Sequence, residues 1–180
     1  MKIYLIYILN KAGGLIYQED VNPGLAKLSA NDYLVLAGTL HGMHAIALKL
    51  NSSIDPNYQS SSSSLVSSFN NQQLLQTGKF QTLNSNKLGL KLIETELFNL
   101  YVFQLLTGIK FIVVTTSNPA VHMDEVSSKG ELSKQFQLVS EVYRKIYAAY
   151  SDYVMKDPFY SLDMPIKSPM FDRRVKAIVQ

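Results

Sequence analysis

A chain of 180 residues is long enough for one domain that buries roughly 70% of its unfolded surface, so a sizeable core is expected. Lys and Arg number 17 against 14 acidic residues, and apart from Arg144-Lys145 and Arg173-Arg174 the basic residues are scattered. The concentrated basic stripe of a nucleic-acid binder is missing. Zero Cys excludes disulfides, thiol nucleophiles and thiolate metal sites together, while 11 Tyr and no Trp favour rings with one wet edge.

The opening MKIYLIYILNKAGG has the outline of a short signal peptide, but Asn10-Lys11 interrupts the apolar run and Ala12-Gly13-Gly14 reads as a hairpin turn. Ile3 to Leu9 is apolar at every position and rich in β-branched and aromatic residues, which predicts a strand buried on both faces. A second strand starts at Leu15 and runs into Gln18, Glu19 and Asp20, completing a hairpin. Ser29 or Asn31 can cap a helix through Leu50. Spacing puts Leu36, Leu40, Met43, Ala47 and Leu50 on one face, while Leu34, Val35, Ala37, Ala45, Ile46 and Leu48 make the other faces apolar too. Such a helix needs cover from its sheet and from a partner. No apolar stretch reaches the roughly 18 uncharged residues of a membrane span, which points to a cytosolic protein.

Residues 51–87 contain Ser60 to Ser64 unbroken and then Asn70-Asn71-Gln72-Gln73, and read as a mobile insertion within a single domain spanning 1–180. Leu88 to Glu94 predicts a short strand, and ELFNLYVFQLL and IKFIVVTTS flank Thr107-Gly108 as a second hairpin. After a polar loop from Asn118 to Gly130, Leu132, Phe136, Val139, Tyr143, Ile146, Tyr150 and Tyr153 alternate four- and three-residue steps along one face of a helix to Lys156. Asp157-Pro158 ends it. Ser168-Pro169 opens a last helix bearing Phe171, Val175 and Ile178. The expected fold is α+β: five strands with one helix on one face and two on the other.

Sites of chemistry are sparse. His41 and His44 lie one helical turn apart, but the remaining His122 sits in a polar loop and no carboxylate completes a metal set, so both read as structural. Asp152, Asp157, Asp163 and Asp172 fall at a helix end, a Pro junction, a loop and a helix first turn, positions for capping or partner contact. NKAGG and QTGK lack the spacing of a phosphate-binding loop, and there is no G-x-S-x-G elbow. The reading is of a non-enzyme with no cofactor, no metal and no catalytic residue of its own.

Four stretches in order, NKAGGLIYQ (Asn10 to Gln18), LAGTLHGMHAIALKL (Leu36 to Leu50), LLTGIKFIVV (Leu105 to Val114) and YRKIYAAYSDYVMKDPFYSLDMPIKSPMFD (Tyr143 to Asp172), closely resemble the synbindin family, small subunits of the TRAPP vesicle-tethering complex. The resemblance covers most of the chain outside the Ser-rich insertion and the loop near His122. It implies a longin-like fold, a five-stranded antiparallel sheet with one helix on one face and two on the other. Animal members carry a PDZ-like insertion soon after the second strand, whereas this chain passes from Asp20 through Pro23-Gly24 to the first helix, as the fungal form does. The implied activity belongs to an assembly: a core acting as guanine-nucleotide exchange factor for a Rab GTPase in endoplasmic-reticulum-to-Golgi traffic, peripherally associated with those membranes. The implied partners are other small TRAPP core subunits, including a second longin-like subunit, and the GTPase through the assembled core.

On that reading, the Pro-interrupted stretch after the long helix offers rigid rings to a partner: Tyr150, Tyr153, Phe159, Tyr160, Met164, Pro165 and Phe171. Tyr150 and Phe171 are equally placed to face their own core. Asp152, Lys156, Asp157 and Lys167 would tune register and association rate. On the first helix, Val35 and Ala45 are expected to meet another subunit. The alternative is a different longin-type trafficking module, an adaptor small chain or SNARE regulatory domain, without exchange activity. A SNARE would need a heptad-patterned helix and an anchor beyond Gln180.

Overall fold

A computed structural model of the chain describes residues 2–54, 89–117 and 125–179, with 51–54 and 125–133 described by backbone alone. Most of the Ser-rich insertion expected at 51–87 lies outside the described residues, as does His122. Elements follow in the order β1 (Ile3–Leu9), β2 (Leu15–Asp20), α1 (Ala30–Ile54), β3 (Leu92–Glu94), β4 (Phe98–Gln104), β5 (Lys110–Thr116), α2 (Glu125–Tyr150) and α3 (Pro169–Val179). Three boundaries differ from expectation: residues 51–54 continue α1, β3 begins at Leu92 with 89–91 outside the strand, and 125–130 are helical where a loop was expected.

The strands form one antiparallel sheet in the order β2-β1-β5-β4-β3. Successive strand residues point to opposite faces, and here both faces are apolar. Tyr7, Leu9, Leu100, Val102, Ile112 and Val114 meet Tyr33, Ala37 and Leu40 of α1. Ile6, Ile8, Tyr101, Phe103, Phe111 and Val113 meet Val139, Tyr143, Ile146 and Tyr150 of α2 and Phe171 and Val175 of α3. One helix therefore covers one face and two cover the other, as the sequence indicates.

Rings join the second layer. Tyr143 stacks on Phe103 at 4.5 Å and meets Phe111 edge-on at 5.5 Å. Tyr150 packs against Phe111 and Phe171, and Phe171 continues to Tyr17 at 4.8 Å. Edge-to-face and offset contacts of this kind add to plain area burial. Burial pushes the hydroxyl pKa values of Tyr17, Tyr143 and Tyr150 upward, so these phenols stay neutral.

The α1 start is a reciprocal cap. The Asp32 N–H donates to Ser29 Oγ, while the Ser29 N–H and hydroxyl donate to Asp32 Oδ2 at 3.0 and 2.7 Å, which selects Ser29 over Asn31 as the cap. The inward stripe differs from the predicted one. Tyr33, Ala37, Leu40 and His44 face the sheet, whereas Met43 and Leu50 are exposed. An almost uniformly apolar helix has no polar face to set its phase, so polar anchors decide. The Tyr33 hydroxyl reaches Asp20 at 3.2 Å, and His44 Nε2 donates to Gln104 Oε1 at 2.5 Å.

The α2 end brings a second phase change. Ser151–Met155 is a π-helical turn, and its extra residue per turn puts Val154, not Tyr153, above Tyr150 on the buried face. The helix ends before Asp157-Pro158 as expected. For α3, Ser168 Oγ accepts the Phe171 N–H at 3.4 Å with Pro169 in the first turn, and Lys176 pairs with Glu19 of β2 at 3.1 Å.

Two stability outcomes follow from this packing. Phe171→Ala, which empties a fully buried aromatic site, should cost about 3–5 kcal/mol in denaturant unfolding, and a loss under about 1 kcal/mol would contradict the ring chain. Burial, above all, holds His44 below its ordinary imidazole value; the Gln104 carbonyl opposes this, and Lys110 and His41 reinforce it. A neutral folded histidine contributes stability that is complete above the unfolded value of 6.5 and is lost as pH falls through it toward the folded value. Melting temperature should fall on acidification, and less steeply in His44→Leu. Identical pH profiles for the two proteins would refute this role.

Candidate docking surfaces

The segment after α2 is a strap of turns. The Asp157 carboxylate accepts the Phe159 N–H at 3.0 Å, the Tyr160 N–H donates to the Asp157 carbonyl at 3.2 Å, and the Met164 N–H donates to the Ser161 carbonyl at 2.9 Å. Pro158 and Pro165 restrict the backbone between these closures. The Ile166 side chain then enters the core, and its N–H donates to the Ile16 carbonyl at 2.8 Å on the outer edge of β2. The strap thereby covers an edge strand that would otherwise offer unpaired backbone.

This geometry divides the sequence-expected residues. Asp152, Tyr153, Lys156, Asp157, Phe159, Met164, Pro165 and Lys167 are all exposed, Phe159 at 89%. Tyr150 and Phe171 are not: both are fully buried in the ring chain, so their area stabilises the fold and neither can anchor a partner. Tyr160 is half-buried and packs against the same core, so it belongs to the strap's footing. The π-turn explains Tyr153, which it rotates out of the buried stripe. Lys156 pairs with Asp152 at 2.6 Å in an exposed one-turn contact, and Asp157 is occupied in its turn. These polar groups frame the patch and are largely satisfied within it.

Sequence spacing missed Met155, Leu162 and Met170, each about half exposed. For Met155 the signal is readable only once the π-turn phase is known, whereas Leu162 stands between Ser161 and Asp163 in the strap and Met170 lies in the first turn of α3.

The second surface is the outer side of α1. Val35 and Ile46 are 57% and 59% exposed and lie opposite the sheet-facing stripe, with Leu34, Met43 and Leu50 beside them. Ala45, expected here, is half-buried on the helix flank, so Ile46 takes the central place. Gly38 and Gly42 stand on the same outward side, and a Cβ at either would meet nothing within 4 Å. A neighbour's backbone could therefore approach closely between apolar shoulders. Ala30–Leu50 is long and apolar enough to cross a membrane by length and composition, but Asp32 and Lys49 interrupt its run and one stripe is seated on the sheet.

Among the described residues, no group of three or more metal-ligating side chains comes together. His44 is committed to Gln104, and the half-buried His41 lies over the β1–β2 turn at Gly13. What the arrangement can do is bind protein surfaces: rings and thioethers on a braced backbone, and a shallow apolar helix face.

Comparison with known proteins gives the same direction. Residues 3–180 match the Sybindin-like family. A relative from Dictyostelium discoideum, named trafficking protein particle complex subunit 4, is 35% identical over 179 residues, covering 99% of this chain and 97% of its own. Relatives of the same name from Mus musculus and Homo sapiens are 28% and 27% identical over 224 aligned positions, covering all of this chain and 94% of theirs. With the match running from the first strand through the last helix, the chain belongs to the Sybindin-like family.

Proposed function

We propose that this chain is a non-catalytic structural subunit of the TRAPP core complex. In this role it contributes to a composite surface for guanine-nucleotide exchange on a Rab GTPase and for vesicle tethering in ER-to-Golgi transport. Family membership and the names of the relatives support placement in the complex. The observation that carries the interaction role is the exposure of two apolar surfaces, the outer side of α1 and the strap, on a fold whose core is otherwise well covered.

The outer side of α1 takes a second longin-like subunit, whose apolar surface would cover Val35 and Ile46 and use the open space at Gly38 and Gly42. The strap presents Phe159, Met164 and Tyr153 to another core subunit, with Asp152, Lys156 and Lys167 at the rim setting register and association rate. Exchange needs no covalent step: a composite surface that binds the nucleotide-free GTPase more tightly than the loaded one drives nucleotide release. The GTPase is reached through the assembled core, and the complex rather than this chain holds it at cis-Golgi and endoplasmic-reticulum membranes from the cytoplasmic side.

Two double variants test this in a reconstituted core. Phe159→Ala with Met164→Ala should leave the free chain's stability within about 1 kcal/mol, because Phe159 is almost fully and Met164 about half exposed, yet lower its incorporation. Val35→Asp with Ile46→Asp should likewise block incorporation by placing charge where an apolar neighbour sits. Unimpaired assembly by both variants would overturn the surface assignment. Nucleotide release that is as fast without this chain as with it would overturn its part in exchange.

A further inference from the structure

The motif NKAGG has no chemistry of its own, yet the turn it forms touches both sides of the sheet. Gly13 has φ +91°, and a Cβ there would lie 2.5 Å from the His41 ring of α1, so glycine permits both the backbone and the close approach. Asn10, nearly buried, points the other way. Its N–H donates to the Gly14 carbonyl at 2.8 Å, its carbonyl accepts the Gly13 N–H at 3.1 Å, and its Oδ1 accepts the Gly14 N–H at 2.7 Å. With Oδ1 engaged, Nδ2 is aimed across the fold and donates to Asp163 Oδ1 at 2.9 Å, a partner 153 positions away. A flipped carboxamide would set its carbonyl oxygen against the Asp163 carboxylate, so one orientation is fixed. Gly14 leaves room for it, since a Cβ there would lie 3.2 Å from both side-chain atoms of Asn10.

Asp163 stands between Leu162 and Met164, in the exposed middle of the strap. The turns on either side are local closures and do not tie the strap to the body. Among the described residues, its ties to the body include the half-buried Tyr160, the Ile166 anchor on β2 and the bond to Asn10. We propose that Asn10 is a positioning residue for the docking strap: by holding Asp163 it sets how Phe159, Leu162 and Met164 are presented to the neighbouring subunit. The inference rests on the docking role given to the strap above. Its physical content is pre-organisation, since a released strap has to be ordered again at the moment of binding.

The test uses full-length protein and, as probe, the remaining core subunits purified without this chain. Asn10→Asp keeps an acceptor for the Gly14 N–H but faces Asp163 with a second carboxylate, and Asp163→Ala leaves the turn untouched. Each should speed amide exchange across residues 157–166 and weaken affinity about tenfold, while β1 and β2 amides keep their protection. The swap Asn10→Asp with Asp163→Asn restores a donor facing a carboxylate and should return affinity to within about threefold of the parent. A role confined to holding the turn predicts no effect of Asp163→Ala and no rescue by the swap, and that result would overturn the proposal. So would faster strap exchange with unchanged affinity. If Phe159→Ala weakens binding while Asn10→Asp does not, the latch alone fails. If Phe159→Ala has no effect, the docking role fails and the latch's purpose with it.

Discussion

The structure depends on a sheet that cannot face water on either side. Ile6 and Tyr7, Phe111 and Ile112, and Val102 and Phe103 are neighbours in sequence that point to opposite layers, and all are buried. Each face must therefore be covered. On one side α2 and α3 share the work through a chain of rings, while on the other α1 is the one helix among the described residues, with Leu25 and Leu90 packed beside it. A single helix screens the sheet with one stripe of its surface. Because α1 is apolar nearly all round, its opposite side is left as hydrocarbon in water. Among the described residues, the same sheet that makes the fold possible thus leaves the outer side of α1 exposed.

Directional bonds settle what greasy contacts leave degenerate. Burial area alone would allow α1 to roll, since several of its stripes are apolar. His44 on Gln104 and Tyr33 on Asp20 select one rotation and thereby decide that Val35 and Ile46 face out. Gln135 plays the matching part for α2, donating to the Thr116 carbonyl at 3.3 Å near the end of β5. Asn10 extends this logic to the strap. In each case a polar side chain finds a partner on another element, and leaving it unpaired costs more than the bond contributes when made.

Much of this was legible in the sequence. Continuous apolar runs in β1, β4 and β5 announced a sheet covered on both faces, and the four- and three-residue steps of α2 announced the long helix. Ser168-Pro169 placed the start of α3. The phase of α1 was not readable, because periodicity needs a polar side to measure against and the deciding contacts come from Gln104 and Asp20, far away in the chain. Tyr153 was placed both on the helix stripe and among the partner-facing rings, and the π-turn that exposes it leaves no mark in apolar spacing. Tyr150 and Phe171 were ambiguous for a simpler reason: a ring suited to a partner is equally suited to a core, and only the neighbouring Phe111 and Tyr17 decide.

On the function proposed for the chain, protein partners sit on the outer side of α1 and on the strap. The absence of native Cys permits a direct measurement, in which single cysteines at Ile46 and Phe159 are reacted with a thiol-specific label in the free chain and in the assembled core. Both should label readily in the free chain and become strongly protected on assembly, while a cysteine at the exposed Leu97, outside either surface, labels equally in both states. Equal labelling of Ile46→Cys and Phe159→Cys before and after assembly would contradict the claim.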